Sequence, residues 1–293
     1  MKRALLLVLI LAVSACGASE EPATPAASQT PAASPTPQVR PAPGTHQLSV
    51  NSGGQRRTFL LHAPPGYQPG QRLPLVVALH FFPGDGTGMQ QLTGLDALAD
   101  KENFLVAYPD GLNAGFNALI CCGTEDDVAF VTAVVEHART TWNADPERVY
   151  ATGISNGADM SFKLAVEASE TFAAVGVISG GFAGPNAAKP DYRPTTPVSV
   201  LTIVGRNDMY FDAFQEGLAT WREKLKCTEG AKQAKPLYTH TVARCGDGSV
   251  LEAYLMSDMG HSWPGAPKGQ LADPDAGLTA TEVIWRFFEA HHR

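Results

Sequence analysis

The sequence Gly-Ile-Ser-Asn-Gly at residues 153–157 constrains the fold of this 293-residue chain more than any other segment. Residues 148–152, which precede it, are rich in β-branched and aromatic side chains and predict a short buried strand. Residues 158–168, which follow it, predict a helix. A sharp turn between the two elements favours glycine on both sides, because side chains there would clash with the neighbouring strand and helix. The pattern therefore predicts that Ser155 projects above a sheet at a helix N-terminus, which favours developing negative charge.

Apolar runs that alternate with helical segments predict the rest of the domain. Residues 73–80 and 104–108 are nearly continuous apolar runs, typical of strands buried on both faces. Residues 57–62 alternate loosely and predict an early antiparallel strand, and residues 127–142 have apolar side chains at helical spacing. Later strands are predicted at residues 172–179, 198–204 and 250–256, and a closing helix at residues 279–291. This alternation predicts an α/β domain with a mostly parallel central sheet and helices on both faces.

The first 44 residues differ in composition from the rest of the chain. Residues 1–15 have a short basic start, an apolar run too short to span a bilayer comfortably, and small residues before Cys16. This pattern is typical of a bacterial lipoprotein signal cut before Cys16, whose thiol then takes the lipid; a plain secretory signal is the alternative. Residues 16–44 are mostly Pro, Ala, Ser, Thr and Gln and predict a disordered tether. Residues 45–293 then form one domain.

This organisation predicts an exported protein, anchored to the bacterial cell envelope by its N-terminal lipid or secreted if it is not lipidated. The formal net charge is -7, and Lys and Arg are not clustered, so a nucleic-acid partner is not expected. The histidines are scattered and the cysteine spacing fits no common zinc pattern. We therefore expect no metal and no cofactor.

Four cysteines remain when Cys16 is set aside. Export permits disulfides. Cys227 and Cys245 flank one segment and are predicted to be bridged. Cys121 and Cys122 are adjacent, and the sequence leaves open whether they form a strained vicinal disulfide or stay as small buried thiols.

A carboxylate and a histidine are expected to follow Ser155 along the chain. A serine hydroxyl becomes a good nucleophile when a histidine takes its proton and a carboxylate orients that histidine. At a strand-to-helix turn of this kind the chain order is serine, acid, histidine. Asp208 follows the predicted strand at residues 198–204 and is the candidate acid. A turn-capping role is its alternative, and Asp212 is the fallback acid.

The candidate histidine is His261. It lies on a loop after the predicted strand at residues 250–256, where a base can reach across to a serine. His80 competes with it, but His80 precedes Ser155 and fits the chain order less well.

An oxyanion next to the serine needs two backbone donors. The amide of Asn156, directly after the serine, is the first. The second is expected from the loop after the strand at residues 73–80. The amide of Phe82 is favoured there, because Pro83 has no amide hydrogen.

Several segments together resemble one known family, in the right order along the chain. They are residues 76–80, 106–111, 121–123, 126–130, 148–150, 153–157 and 260–265. On these segments the chain resembles the secreted polyhydroxybutyrate depolymerases and feruloyl esterases, a group that includes mycobacterial LpqC-type lipoproteins. The resemblance implies an α/β-hydrolase fold, a triad of Ser155, Asp208 and His261, and an ester as the substrate. A polysaccharide-linked feruloyl ester and a hydroxyalkanoate polyester or oligomer are both open.

The chain departs from the family pattern around the candidate site. Phe81 stands where a glycine usually follows His80, and Ala158 stands where a second glycine usually follows Ser-Asn-Gly. The usual Gly-Thr-x-Asp is replaced by Gly-Arg-Asn-Asp at residues 205–208. Phe81 and Trp263 are expected to border the acyl site, although Trp263 has the alternative of a plain core aromatic.

These patterns predict an exported serine esterase. Short or aromatic acyl esters are the expected substrates, because the bulky rings of Phe81, Phe82 and Trp263 would narrow the acyl pocket. A serine peptidase of the same fold is one alternative, although no propeller or cap domain that selects peptides is visible in the sequence. A non-catalytic surface binding lipoprotein is another, and the intact order of serine, acid and histidine speaks against it.

Overall fold

Four fully buried strands form the middle of one large sheet. The computed structural model describes residues 40–293 of the chain. The four strands are β3 (Leu73–Leu79), β4 (Leu105–Pro109), β6 (Ala174–Ile178) and β7 (Ser199–Gly205). Continuous burial of this kind requires cover on both faces of the sheet. The predicted signal peptide, Cys16 and almost all of the predicted tether lie outside the described residues.

The described residues form an eleven-stranded sheet with the path β1-β2-β4-β3-β5-β6-β7-β11-β10-β8, in which β9 also pairs with β10. The remaining strands are β1 (Gly44–Ser52), β2 (Gln55–Ala63), β5 (Ala144–Ile154), β8 (Thr228–Glu229), β9 (Gln233–Ala234), β10 (Tyr238–Arg244) and β11 (Val250–Met256). The run from β4 to β11 is parallel, and antiparallel strands extend it at both ends. A separate two-stranded sheet joins β12 (Trp263–Pro264) to β13 (Ala272–Asp273).

Helices cover both faces of the sheet, as the sequence predicts. They are α1 (Gly86–Thr93), α2 (Leu95–Glu102), α3 (Asp127–Trp142), α4 (Asn156–Glu167), α5 (Phe211–Leu225) and α6 (Ala280–Ala290), with a short 3-10 turn at Leu112–Ala114. One core contains side chains of α3, α4 and α5, and the other contains side chains of α1, α2 and α6. Along β3 the side chains alternate between them, with Val77 in the first core and Val76 and Ala78 in the second.

The topology places the loops after four strands at one edge of the sheet. β5, β6, β7 and β11 are neighbours and run parallel, so their carboxyl ends lie together. In open sheets of this kind ligands bind at that edge. We call it the carboxyl edge.

Two disulfides are present in the described part of the chain. Cys227 is bridged to Cys245, as predicted, and this bond closes the segment that contains β8, β9 and β10. Cys121 is bridged to Cys122, which decides between the two alternatives left open by the sequence. No helix within residues 40–293 has the length and apolar character needed to cross a membrane.

Candidate active site

Ser155 occupies the junction between β5 and α4 in a backbone conformation that residues other than glycine rarely adopt, with φ 57° and ψ -123°. Both flanking glycines are required by space. A Cβ added to Gly153 would lie 2.4 Å from the backbone of Gly157, and a Cβ added to Gly157 would lie 2.1 Å from the carbonyl oxygen of Leu79. The Ser155 amide donates to the carbonyl of Ile178, 3.1 Å away, which fixes the turn to the end of β6. The sequence prediction of a tight strand-to-helix turn is therefore confirmed.

Asp208 and His261 meet across the loops that follow β7 and β11. The distance from His261 Nδ1 to Asp208 Oδ2 is 2.8 Å, and the Asp208 side chain is fully buried. The other oxygen of Asp208 accepts from the amide of Tyr210 at 3.0 Å. An ionised carboxylate can only accept, so in the neutral imidazole the Nδ1 of His261 carries the proton and its Nε2 has the free lone pair. The fallback acid, Asp212, is exposed in the first turn of α5.

The loop after β6 connects the serine turn to the histidine loop. Ile178, at the end of β6, accepts the Ser155 amide, and the next residue, Ser179, donates its hydroxyl to the carbonyl of Ser262 at 3.2 Å. Ser262 is adjacent to His261. The three residues selected from the sequence therefore share the carboxyl edge, on loops held together by hydrogen bonds.

His80 has a role in the neighbouring loop. Its buried ring donates from Nδ1 to the carbonyl of Phe81 at 2.7 Å and accepts at Nε2 from the amide of Gly111 at 2.9 Å. Burial lowers the pKa of His80, which favours the neutral imidazole that this pair of bonds requires. His80 therefore holds the loop in which Phe82 lies, and both of its ring nitrogens are occupied.

Asn156 contributes both its backbone and its side chain. Its amide is among the first of α4, and the first amides of a helix have no acceptor within the helix. Its side chain accepts from the Phe116 amide at 2.8 Å and donates to the carbonyls of Phe116 and Cys121 at 3.0 and 3.2 Å. The side chain of Asn156 thus binds the loop that contains the vicinal disulfide. We call these hydrogen bonds the Asn156 clamp. No sequence pattern predicted this clamp, because its partners lie far away along the chain.

Phe81, Phe82 and Trp263 have three different environments. Phe82 is 48% exposed, whereas Trp263 is fully buried and donates from Nε1 to the hydroxyl of Thr281 at 3.1 Å. Trp263 therefore matches its alternative interpretation, a core aromatic. Phe81 lines a hollow of about 420 Å³ with residues of α1 and residues 268–271.

Four exposed apolar side chains lie close along the chain to residues of the candidate site. Phe82 follows β3, Ile120 precedes the vicinal disulfide, and Met209 and Tyr210 follow Asp208; each is about half exposed or more. The ring of Tyr210 meets that of His261 edge-on, with centroids 5.7 Å apart. We call these four side chains the apolar rim. Within residues 40–293, no three potential metal-ligating side chains cluster.

The chain is similar to known esterases in sequence and in fold. The profile of the family described as "Esterase PHB depolymerase" matches residues 57–189. NocK of Nocardia uniformis subsp. tsuyamanensis, named as an esterase, is 33% identical over 245 residues, covering 78% of this chain and 69% of NocK. Feruloyl esterase C of Emericella nidulans is 31% identical over 249 residues, covering 80% of this chain and 84% of the fungal protein. An acetyl xylan esterase from Aspergillus awamori has a similar fold, with a TM-score of 0.60 at 19% identity, over 74% of this chain and 94% of that enzyme.

Proposed function

The chain belongs to the family of polyhydroxybutyrate depolymerases and feruloyl esterases and is a carboxylic ester hydrolase, and on this basis we propose that it cleaves its esters through Ser155, His261 and Asp208. The observation that carries the proposal is the 2.8 Å bond between His261 and the buried Asp208, on a loop connected to that of Ser155. A histidine held in this way keeps Nε2 available as a base.

The proposed reaction passes through an acyl-enzyme. His261 Nε2 takes the hydroxyl proton as Ser155 Oγ attacks the ester carbonyl carbon, and Asp208 stabilises the imidazolium that forms. The amides of Asn156 and Phe82 donate hydrogen bonds to the oxyanion. His261 then gives the proton to the leaving alcohol as the ester C–O bond breaks. A water molecule, deprotonated by His261, attacks the acyl-enzyme and releases the acid with Ser155 restored.

We propose esters of short or aromatic acids as the substrate class. The apolar rim supports this, because the exposed rings of Phe82 and Tyr210 offer contact area to an aromatic or short aliphatic group, and the Tyr210 ring contacts that of His261. A relative is named feruloyl esterase C, which suggests a polysaccharide-linked ester, and the family description suggests a polyester. Long acyl chains are expected to be poor, because each added methylene contributes about 0.8 kcal/mol only until the available apolar surface is filled.

We also propose that the enzyme works outside the cytoplasm, attached to the membrane by a lipid on Cys16. Support comes from the sequence of residues 1–16 and from the Pro- and Ala-rich segment that follows them.

The test is a panel of ester hydrolysis rates for the wild type, Ser155→Ala and Ser49→Ala. The panel contains acetate, butyrate, C12 and C16 esters, methyl ferulate and a hydroxybutyrate trimer. Loss of a triad serine costs on the order of 10⁴- to 10⁶-fold in rate, whereas Ser49, on the edge strand β1, should be replaceable without effect. Turnover by Ser155→Ala equal to that of the wild type would remove the serine assignment. A kcat/KM that keeps rising up to the C16 ester would contradict the proposed substrate class and would indicate a lipase.

A further inference from the structure

A buried carboxylate beside the candidate site takes no part in the mechanism described above. Asp159 lies in α4 one turn after Ser155, and its amide donates to the carbonyl of Ser155 at 3.0 Å. It is only 6% exposed. One carboxylate oxygen accepts from the amide of Gly181 at 2.9 Å. A carboxylate at this depth costs free energy unless it is paired, so its presence calls for a physical reason.

The hydrogen bond to Gly181 connects Asp159 to the histidine loop. Gly180 and Gly181 form the turn after β6, and a Cβ added to Gly180 would lie 3.1 Å from Asp159 Oδ1. The residue before them, Ser179, donates to the carbonyl of Ser262, next to His261. The turn after β6 thus contacts Asp159 on one side and the histidine loop on the other.

Burial raises the pKa of Asp159 to about 7, while the hydrogen bond from the Gly181 amide and the positive charge of His261 both lower it. His261 is therefore a titratable group whose charge acts on Asp159. The other charged groups nearby are engaged or exposed. Lys163, on the same helix, donates to the carbonyl of Asn117, Asp208 is bound to His261, and Asp212 is exposed at the start of α5. The turn after β6 contains no ionisable side chain.

We propose that Asp159 is a positioning residue that acts through His261: its negative charge stabilises the imidazolium formed when His261 takes the serine proton. The proposal rests on the triad proposed above. A nearby anion favours the charged form of histidine, and the imidazolium develops as the reaction proceeds. Ionised Asp159 therefore adds to the effect of Asp208 from a second element, α4.

This arrangement predicts a particular dependence of activity on pH. His261 must be neutral to accept a proton, and Asp159 must be ionised to assist. Activity therefore rises with the loss of one proton from each group, and the two losses are coupled. In Asp159→Asn the amide oxygen still accepts from Gly181, but the charge is gone. A single proton loss then remains, that of His261, and the neighbouring anion that favours the protonated imidazole is absent.

The experiment measures kcat/KM for p-nitrophenyl acetate from about pH 5 to about pH 9 in the wild type, Asp159→Asn and Asp212→Asn. For Asp159→Asn we expect a shallower acid limb that fits one ionisation, shifted to lower pH by roughly half a unit, and a plateau lower by roughly 3- to 10-fold. Asp212→Asn removes an exposed carboxylate and should follow the wild-type curve.

Superposition of the Asp159→Asn and wild-type curves, in both midpoint and plateau, overturns the proposal. A merely structural role would give this result, because the bond to Gly181 is kept. Thermal unfolding of the variants, at the pH of each plateau, shows whether the comparison is between folded proteins. If the wild type shows no Ser155-dependent hydrolysis, the proposed function itself fails; Ser155-dependent hydrolysis with superposed curves rejects Asp159 alone.

Discussion

The turn at Ser155 can form only where there is no Cβ atom at two nearby positions. Ser155 has a positive φ, which costs about 1–3 kcal/mol for a residue other than glycine. Gly153 and Gly157 make this turn possible because they have no side chain. Gly157 packs so closely on the end of β3 that even a methyl group would overlap the carbonyl oxygen of Leu79.

Gly157→Ala tests this packing. The added Cβ would lie 2.1 Å from Leu79 O, so the turn must move away from β3, and the serine and the Asn156 amide move with it. We expect a loss of stability of about 1–3 kcal/mol and a fall in kcat of at least about 10²-fold, the typical cost of losing one oxyanion donor. Urea unfolding and ester hydrolysis measure the two effects.

Gly66→Ala is the matched control for this prediction, because its Cβ would make only an ordinary contact, 3.5 Å from Asn103. It should change neither quantity appreciably. An active and stable Gly157→Ala variant would show that the turn tolerates a wider approach to β3.

At the scale of elements, a buried ion pair connects β2 to α3. Arg57 and Asp127 are 2.7 Å apart with side chains almost fully buried, and the guanidinium lies 3.9 Å from the centre of the Phe130 ring. The second oxygen of Asp127 accepts from the Asn117 amide at 2.7 Å. Asn117 belongs to the same loop that Asn156 clamps at Phe116. Through Asp127, the ion pair thus helps to hold the loop that lies beside the serine turn.

Asp127→Asn should destabilise the domain by about 3–5 kcal/mol, because it leaves the Arg57 charge buried without its counterion. Chemical denaturation followed by tryptophan fluorescence gives the free energy of unfolding. Glu136→Gln breaks the exposed pair with Arg139 and should cost less than about 1 kcal/mol. Equal costs for the two variants would mean that burial adds nothing to the inner pair.

The central strands were predicted from their apolar runs, whereas some outer strands and some helices were omitted. The apolar run at residues 73–80 corresponds to β3, and the helical pattern at residues 127–142 corresponds to α3. The prediction omitted β10, whose side chains are mostly half-buried and form no continuous apolar run. It also omitted α5, although its buried side chains at positions 214, 218, 221 and 225 have helical spacing and were available to the same argument.

The candidate site, too, could be predicted only in part. Ser155, Asp208 and His261 could be selected because each follows a recognisable strand, and chain order then assigns their roles. The Asn156 clamp, the contact of Asp159 with Gly181 and the apolar rim depend on side chains from separate elements meeting in space. Sequence periodicity describes one element at a time and contains no information on contacts between side chains of separate elements.

At the scale of the whole molecule, the site lies within residues 40–293, and the proposed lipid lies outside them on Cys16. Cys16→Ser should therefore move the protein from the membrane fraction to the soluble fraction and leave kcat/KM on a small soluble ester unchanged. Cell fractionation and mass spectrometry of the N-terminal peptide measure this, with Ser28→Ala in the predicted tether as the control. Wild-type protein that is soluble and has an unmodified Cys16 would contradict the lipid anchor.

The bridge between Cys227 and Cys245 has a consequence for how the molecule withstands proteolysis. Residues 228–237 are exposed without interruption and contain Lys232 and Lys235, so they are accessible to a protease. A single cut there separates the chain into a piece with Asp208 and a piece with His261. Both cut ends lie inside the loop that the bridge closes, so the two pieces remain covalently joined. The nicked enzyme stays one molecule until a reductant reaches it.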